Sequence, residues 1–138
     1  MIFNFSSLFA MGFNIFTESN KRTMFFSRAV SGYHMLLILS AVDGITNNRE
    51  LKVIRKYMSE HFNDDIDFDY ETEVVRNITQ EDYPIHFNNA MNSFYLESQE
   101  ADRNHFLDFA VKLVVADKNI SAKENLFLNE LYNAWEVS

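Results

Sequence analysis

The stretch Met35-Leu36-Leu37-Ile38-Leu39-Ser40-Ala41-Val42, running straight into Asp43-Gly44-Ile45-Thr46-Asn47-Asn48-Arg49-Glu50-Leu51, decides the fold. Its first part is apolar on every side, the mark of a central buried helix rather than a surface one. Gly44 then supplies a helix stop, because glycine tolerates positive φ without steric cost. The next helix starts near Asn47 and carries Leu51, Ile54, Tyr57 and Met58 on one face.

Outward from this corner the pattern stays helical. Upstream, the central helix extends back to about Met24. Downstream, Asn63 to Glu73 is a charged connector whose alternating acids suggest a calcium loop. Counted from Asp65, however, the sixth position is Tyr70 where an EF-hand requires Gly, and the twelfth is Arg76 where it requires Glu. A short helix is expected at about Glu71 to Ile78. Pro84 suits the first turn of a helix from about Tyr83 to Leu96 with Phe87, Ala90, Met91, Phe94 and Tyr95 inward. Another starts at Ser98 or Asp102 with Phe106, Phe109, Ala110 and Leu113 inward. The last, about Ala122 to Trp135, carries Leu126, Leu128, Leu131 and Trp135. No segment alternates as a half-buried strand would. The expectation is an all-α, single-domain helical bundle of about six or seven helices, with a pseudo-twofold repeat of helix-turn-helix units.

Composition agrees. A chain of 138 residues, 47% hydrophobic, holds one domain with a real core. Three Gly and one Pro favour long helices joined by short turns. The absence of Cys removes disulfides, thiolate metal sites and a cysteine nucleophile together, and fits a reducing, cytoplasmic setting. A net charge of −8 with only 12 basic residues argues against nucleic acid and is compatible with cations or a basic protein surface.

Residues 1–23 are expected to be a Phe-rich N-terminal helix or arm ahead of a helical domain at 24–138. Phe5, Phe9, Phe13 and Phe16 recur at helical spacing and make one apolar stripe. Lys21 and Arg22 follow the apolar stretch instead of preceding it, unlike a signal peptide. Asn4, Ser6, Ser7 and Asn14 interrupt it, so it does not span a bilayer. The stripe is expected to pack on the core, on a protein partner or on a second copy in a homodimer. Without a basic opposite face, a membrane surface is the minor alternative.

The corner quoted first has a second copy, Val115-Ala116-Asp117-Lys118-Asn119-Ile120-Ser121-Ala122-Lys123-Glu124-Asn125. In each an apolar helix ends in Asp, a polar turn follows, and a Glu seven residues on opens a helix. Without a gap the copies align at an offset of 74 residues; a one-residue gap instead pairs Ile45-Thr46 with Ile120-Ser121. Asn47 and Ser121 are N-cap residues with Glu50 and Glu124 three positions later, a capping box that accounts for both glutamates. Asp43 and Asp117 are harder to account for, because the helix dipole disfavours an anion at a C-terminus. Both also fall in line with apolar stripes, Asp43 with Leu36 and Leu39, Asp117 with Phe106, Ala110 and Leu113. Such a carboxylate needs N–H donors, a basic partner or a metal ion: an Asx-type turn or a divalent-cation site.

Leu37-Ile38-Leu39-Ser40-Ala41-Val42-Asp43-Gly44-Ile45 followed by Glu50 resembles the signature of the TerB-like family of tellurite-resistance and stress proteins. Val114-Val115-Ala116-Asp117-Lys118-Asn119-Ile120-Ser121 with Glu124 resembles its second half, and the resemblance covers roughly Val30 to Trp135. It implies an all-helical domain with pseudo-symmetric acidic clusters for a divalent metal such as Ca²⁺, Mg²⁺ or Mn²⁺. It also implies an accessory, non-catalytic role in stress response. Carried over by position, the ligands are Asp43, Glu50, Asp117 and Glu124. Lys118 departs from the family's Gly after the second Asp.

Other chemistry has little support. His34, His61, His86 and His105 show no zinc spacing and no HExxH, so each is expected to be a surface or satisfied core residue, with His105 meeting Asp108 one turn on. No phosphate-binding glycine loop or serine nucleophile elbow occurs. The alternative to the cation reading is a structural interaction or dimerisation module whose acids only cap helices.

Overall fold

Ser27 starts the central helix: its hydroxyl accepts the Val30 amide at 3.2 Å, and α1 runs from Arg28 to Ala41. In the computed structural model, which describes residues 26–42, 44, 46–62, 65–116 and 121–135, this helix is the axis of the molecule. Tyr33, His34, Met35, Leu36, Ile38 and Leu39 are all fully buried, so the helix has no solvent face along its second half. Each such aliphatic side chain contributes roughly 1.5–3 kcal/mol by leaving water, which is why four other helices pack directly on it.

The other helices are α2 (Asn48–His61), α3 (Phe68–Arg76), α4 (Tyr83–Leu96), α5 (Glu100–Val115) and α6 (Ala122–Trp135), with a 3₁₀ turn at Gln80–Asp82 leading into α4. The described residues are helical, with no strand among them. α1 packs most extensively on α4, then on α2, α3 and α5, while α6 closes the bundle against α5 and α4. No described helix is long and apolar enough to cross a membrane. The Phe5, Phe9, Phe13 and Phe16 stripe lies outside the described residues.

The core between α4, α5 and α6 is aromatic. Phe94 stacks on Trp135 at 5.3 Å between centroids and lies 4.9 Å from Phe106. Gly32 on α1 makes room for them, since a Cβ there would stand 3.2 Å from both Phe94 Cε2 and Phe106 Cε1.

Four details differ from the sequence-based expectation. The central helix starts at Arg28, not at about Met24, because the extended Ser27 caps it. The helix after the acidic connector begins at Phe68, not Glu71, because Asp67 caps it by accepting the Tyr70 amide at 3.1 Å. On α6 the inward stripe is Glu124, Phe127, Leu128, Leu131 and Trp135; Leu126 sits off that stripe and is exposed. Tyr95 falls off the α4 stripe in the same way, and its ring is covered by the Arg103 guanidinium at 4.2 Å.

Candidate functional site

The two corners agree closely where they are described. The same offset of 74 residues separates the helix ends Ala41 and Val115 and the helix starts Asn48 and Ala122. Both second helices open with a reciprocal cap. Asn47 Oδ1 accepts the Glu50 amide at 2.8 Å, and Glu50 Oε1 accepts the Asn47 amide at 3.2 Å. Ser121 Oγ accepts the Glu124 amide at 3.0 Å, and Glu124 Oε1 accepts the Ser121 amide at 2.9 Å. Capping is therefore the observed work of one oxygen of each glutamate. Glu124 is buried and Glu50 only partly so.

Asp43 and Asp117 lie outside the described residues, so the structure does not show the four candidate ligands together. Among the described residues no group of three or more His, Asp or Glu side chains is placed to hold a metal ion. Beside the first corner lies a small cleft of about 110 Å³ walled by Leu37, Ala41, Leu51, Val75 and Tyr83, with the Arg76 side chain also lining it. Of two further clefts, the one of about 190 Å³ is mainly apolar, whereas the one of about 330 Å³ presents mainly polar surface. Among the described residues, Asp65 is the one carboxylate that lines any of the three.

The densest polar chemistry is elsewhere, in the core. His34 Nδ1 lies 2.8 Å from His86 Nε2, and His34 Nε2 lies 2.7 Å from Glu71 Oε1. Three helices thus meet through three side chains: α1 gives His34, α3 gives Glu71 and α4 gives His86. With Glu71 ionised the proton order is fixed. His34 donates Nε2–H to the carboxylate, accepts from His86 Nε2–H, and leaves the lone pair of His86 Nδ1 at the outer end. Phe26 lies over both rings with centroids 5.3 Å away, and its amide donates to Ser93 Oγ on α4 at 3.3 Å.

This burial resists charge. Desolvation pushes His34 down to about 4. His86 is also lowered to about 4, by burial first and then by the neighbouring His34. Glu71 is raised by burial and, secondarily, by Asp67 on its own helix.

One residue along α1 and α3, a second network ties α1, α2 and α3. Thr72 donates to the Phe68 carbonyl at 2.7 Å, so the Tyr33 hydroxyl donates to Thr72 Oγ1 at 2.6 Å. Arg55 then donates to both, Nε to Tyr33 at 3.1 Å and Nη2 to Thr72 at 3.2 Å, and pairs with Asp69 at 3.2 Å. Its polar groups are satisfied, which suits a structural role.

The other two histidines also pair. His61 at the end of α2 and His105 on α5 have ring centroids 4.3 Å apart, both exposed. His105 Nδ1 meets the Tyr57 hydroxyl at 3.1 Å, so Tyr57 is its partner in place of the expected Asp108.

Sequence reasoning treated the four histidines singly and missed both pairs. The partners stand 52 and 44 residues apart in the chain, beyond any local spacing rule. One signal was present: His34 interrupts a helix that is apolar all round, and a buried imidazole there must find hydrogen-bond partners.

No family model matches this chain, and no curated protein or solved structure matches it either.

Proposed function

We propose that this chain is a non-catalytic accessory domain of the TerB-like kind, a helical scaffold that presents two acidic corners to a divalent cation. The observation that supports it is the match of the corners themselves: equal turn length, the same reciprocal cap, and an Asp at the same sequence position in each. A carboxylate has two oxygens, so capping through Oε1 is compatible with ligation through the other. Aspartate supplies the further hard oxygens that Ca²⁺, Mg²⁺ or Mn²⁺ prefers.

Titration calorimetry with Ca²⁺, Mg²⁺ and Mn²⁺ tests this on the wild type and an Asp43→Asn, Asp117→Asn double variant. Heat of binding lost in the variant is the expected result. Equal traces from the two proteins remove the cation from the proposal.

A second reading, an interaction or dimerisation module, is favoured by the capping boxes, because they explain Glu50 and Glu124 without any ligand. Here the Phe-rich residues 1–20 join two copies or dock on a protein partner. Light scattering on a chain lacking those residues decides it: the dimer version requires the mass to halve.

A further inference from the structure

We propose that the His34–His86 pair, seated on Glu71, is an acid-operated latch that holds α4 and the Phe26 segment against α1: closed, its two imidazoles carry no more than one extra proton between them, and the next one on a ring opens it. The inference is independent of any cation at the corners.

The geometry sets the limit. A nitrogen-to-nitrogen contact of 2.8 Å requires one N–H and one lone pair. One added proton can be accommodated, because the three groups share it along the row and the Glu71 carboxylate balances the charge. A second proton placed on the rings, and not on the other oxygen of Glu71, turns both into imidazoliums, and two N–H groups then face each other across 2.8 Å. That contact must break.

Charge counting gives the same answer. From α3, Glu71 touches His34, and Asp67 acts on Glu71 from behind. From α2, the nearest charge of that network is Arg55, already paired with Asp69 and bonded to Tyr33 and Thr72. On α5, Asp102 is paired with Arg28, at the N-terminal end of α1. From α4 comes His86 itself, and Phe26 brings only an apolar ring. One carboxylate in contact compensates one imidazolium and leaves the second bare in a buried place. Burial already holds both rings below the ordinary imidazole range.

Opening has a direction. His34 is fixed in the most buried helix, whereas His86 is half-buried on α4 and Phe26 leads into α1. The elements to leave are therefore α4 and the Phe26 segment. Both imidazoles protonate freely once apart, so opening takes up at least one proton below the ordinary imidazole value of about 6.5. One linked proton makes the opening equilibrium rise roughly tenfold per pH unit, or about thirtyfold from pH 6.5 to 5.

Amide hydrogen exchange on the full chain, corrected for intrinsic rates, tests this between pH 7.5 and 5 alongside ¹⁵N titration of the imidazoles. In the wild type, protection along α4 and at Phe26 is expected to fall about thirtyfold, with neither His34 nor His86 titrating near 6.5 in the folded protein. In His86→Gln, where a neutral amide replaces the partly exposed ring, that pH dependence is expected to become clearly shallower, keeping only the share of His34. The proposal is overturned if His86→Gln keeps the wild-type slope, or if both imidazoles titrate near 6.5 with α4 protection unchanged. Should the variant fail to fold, the wild-type imidazole titration decides alone.

Discussion

The two histidine pairs have similar ring separations and opposite surroundings. His34 and His86 stand 5.0 Å apart between α1 and α4, and His61 and His105 stand 4.3 Å apart between α2 and α5. The first pair is joined nitrogen to nitrogen, rests on a carboxylate and sits under Phe26. The second is open to water and held through Tyr57. Contact alone therefore does not make a histidine pair matter. Burial does, because it removes the solvent that would otherwise absorb a lost partner or an added charge.

Truncation separates the pairs most sharply. His34→Ala removes a fully buried ring, leaves a cavity in the central helix and strands both Glu71 and His86. We expect a loss of about 3 kcal/mol or more, the range found when one partner of a buried polar pair is removed. His105→Ala removes an exposed ring and one part-buried hydrogen bond to Tyr57, and a smaller loss of about 1 kcal/mol is expected. Urea unfolding followed by Trp135, the sole tryptophan and a buried one, measures both. Equal losses would break the comparison.

Acid provides the next largest difference. His34 and His86 have folded values near 4 against about 6.5 when unfolded, so the unfolded chain binds more protons in that interval. Stability is then full above 6.5 and falls as the pH drops towards 4, at about 1.4 kcal/mol per pH unit for each fully linked proton. Glu71 works the other way, since a raised carboxyl costs stability when ionised and recovers it on protonation. Two imidazoles outweigh one carboxyl, and acid wins. Replacing the exposed pair, His61→Gln with His105→Gln, is expected to leave this slope unchanged in urea titrations at pH 7, 6 and 5. A flattened slope in that double variant would assign the acid sensitivity to the wrong pair.

The corners supply a smaller contrast. Asn47→Ala and Ser121→Ala each delete a side-chain cap, and about 1 kcal/mol is expected from each. Glu124→Ala is expected to cost more than Glu50→Ala, because Glu124 is buried at 7% exposure and its removal leaves the Ser121 amide without that acceptor. Thermal melting of the four variants ranks them. A Glu50 effect equal to that of Glu124 would show that burial does not govern the corners as it governs the histidines.

Most of the fold was legible because it rests on local rules. Met35 to Val42 reads as buried from its own composition, and Asn47-x-x-Glu50 and Ser121-x-x-Glu124 read as caps from their spacing; the structure shows all three. The start of α3 was misread because the acids around Asp67 suggested a connector, while a single Asx cap on Tyr70 suffices to begin a helix. The histidine pairs were beyond reach for a different reason. Nothing near His34 specifies His86, and only the packing of α4 on α1 brings them together. For the corner aspartates the sequence named residues without fixing where they point, and a ligand set depends on that direction.

Gly32 sharpens the comparison at the smallest scale. It lies two residues before His34 and lets the rings of Phe94 and Phe106 approach α1 to within 3.2 Å of where a Cβ would be. Gly32→Ala gains about 1 kcal/mol of helix propensity, whereas overpacking a core costs roughly 1–3 kcal/mol. The rings have little room to yield, because Phe94 is backed by Trp135 and Phe106 touches both. A net loss of about 1 kcal/mol is therefore expected in urea unfolding, with a shifted Trp135 emission. Phe94 shares α4 with His86, so a small outward displacement of that helix also lengthens the 2.8 Å imidazole contact. The acid sensitivity of α4 should then begin at higher pH in Gly32→Ala than in the wild type. A stabilised variant with the wild-type acid profile would mean that the rings do yield and that α4 keeps its distance from His34.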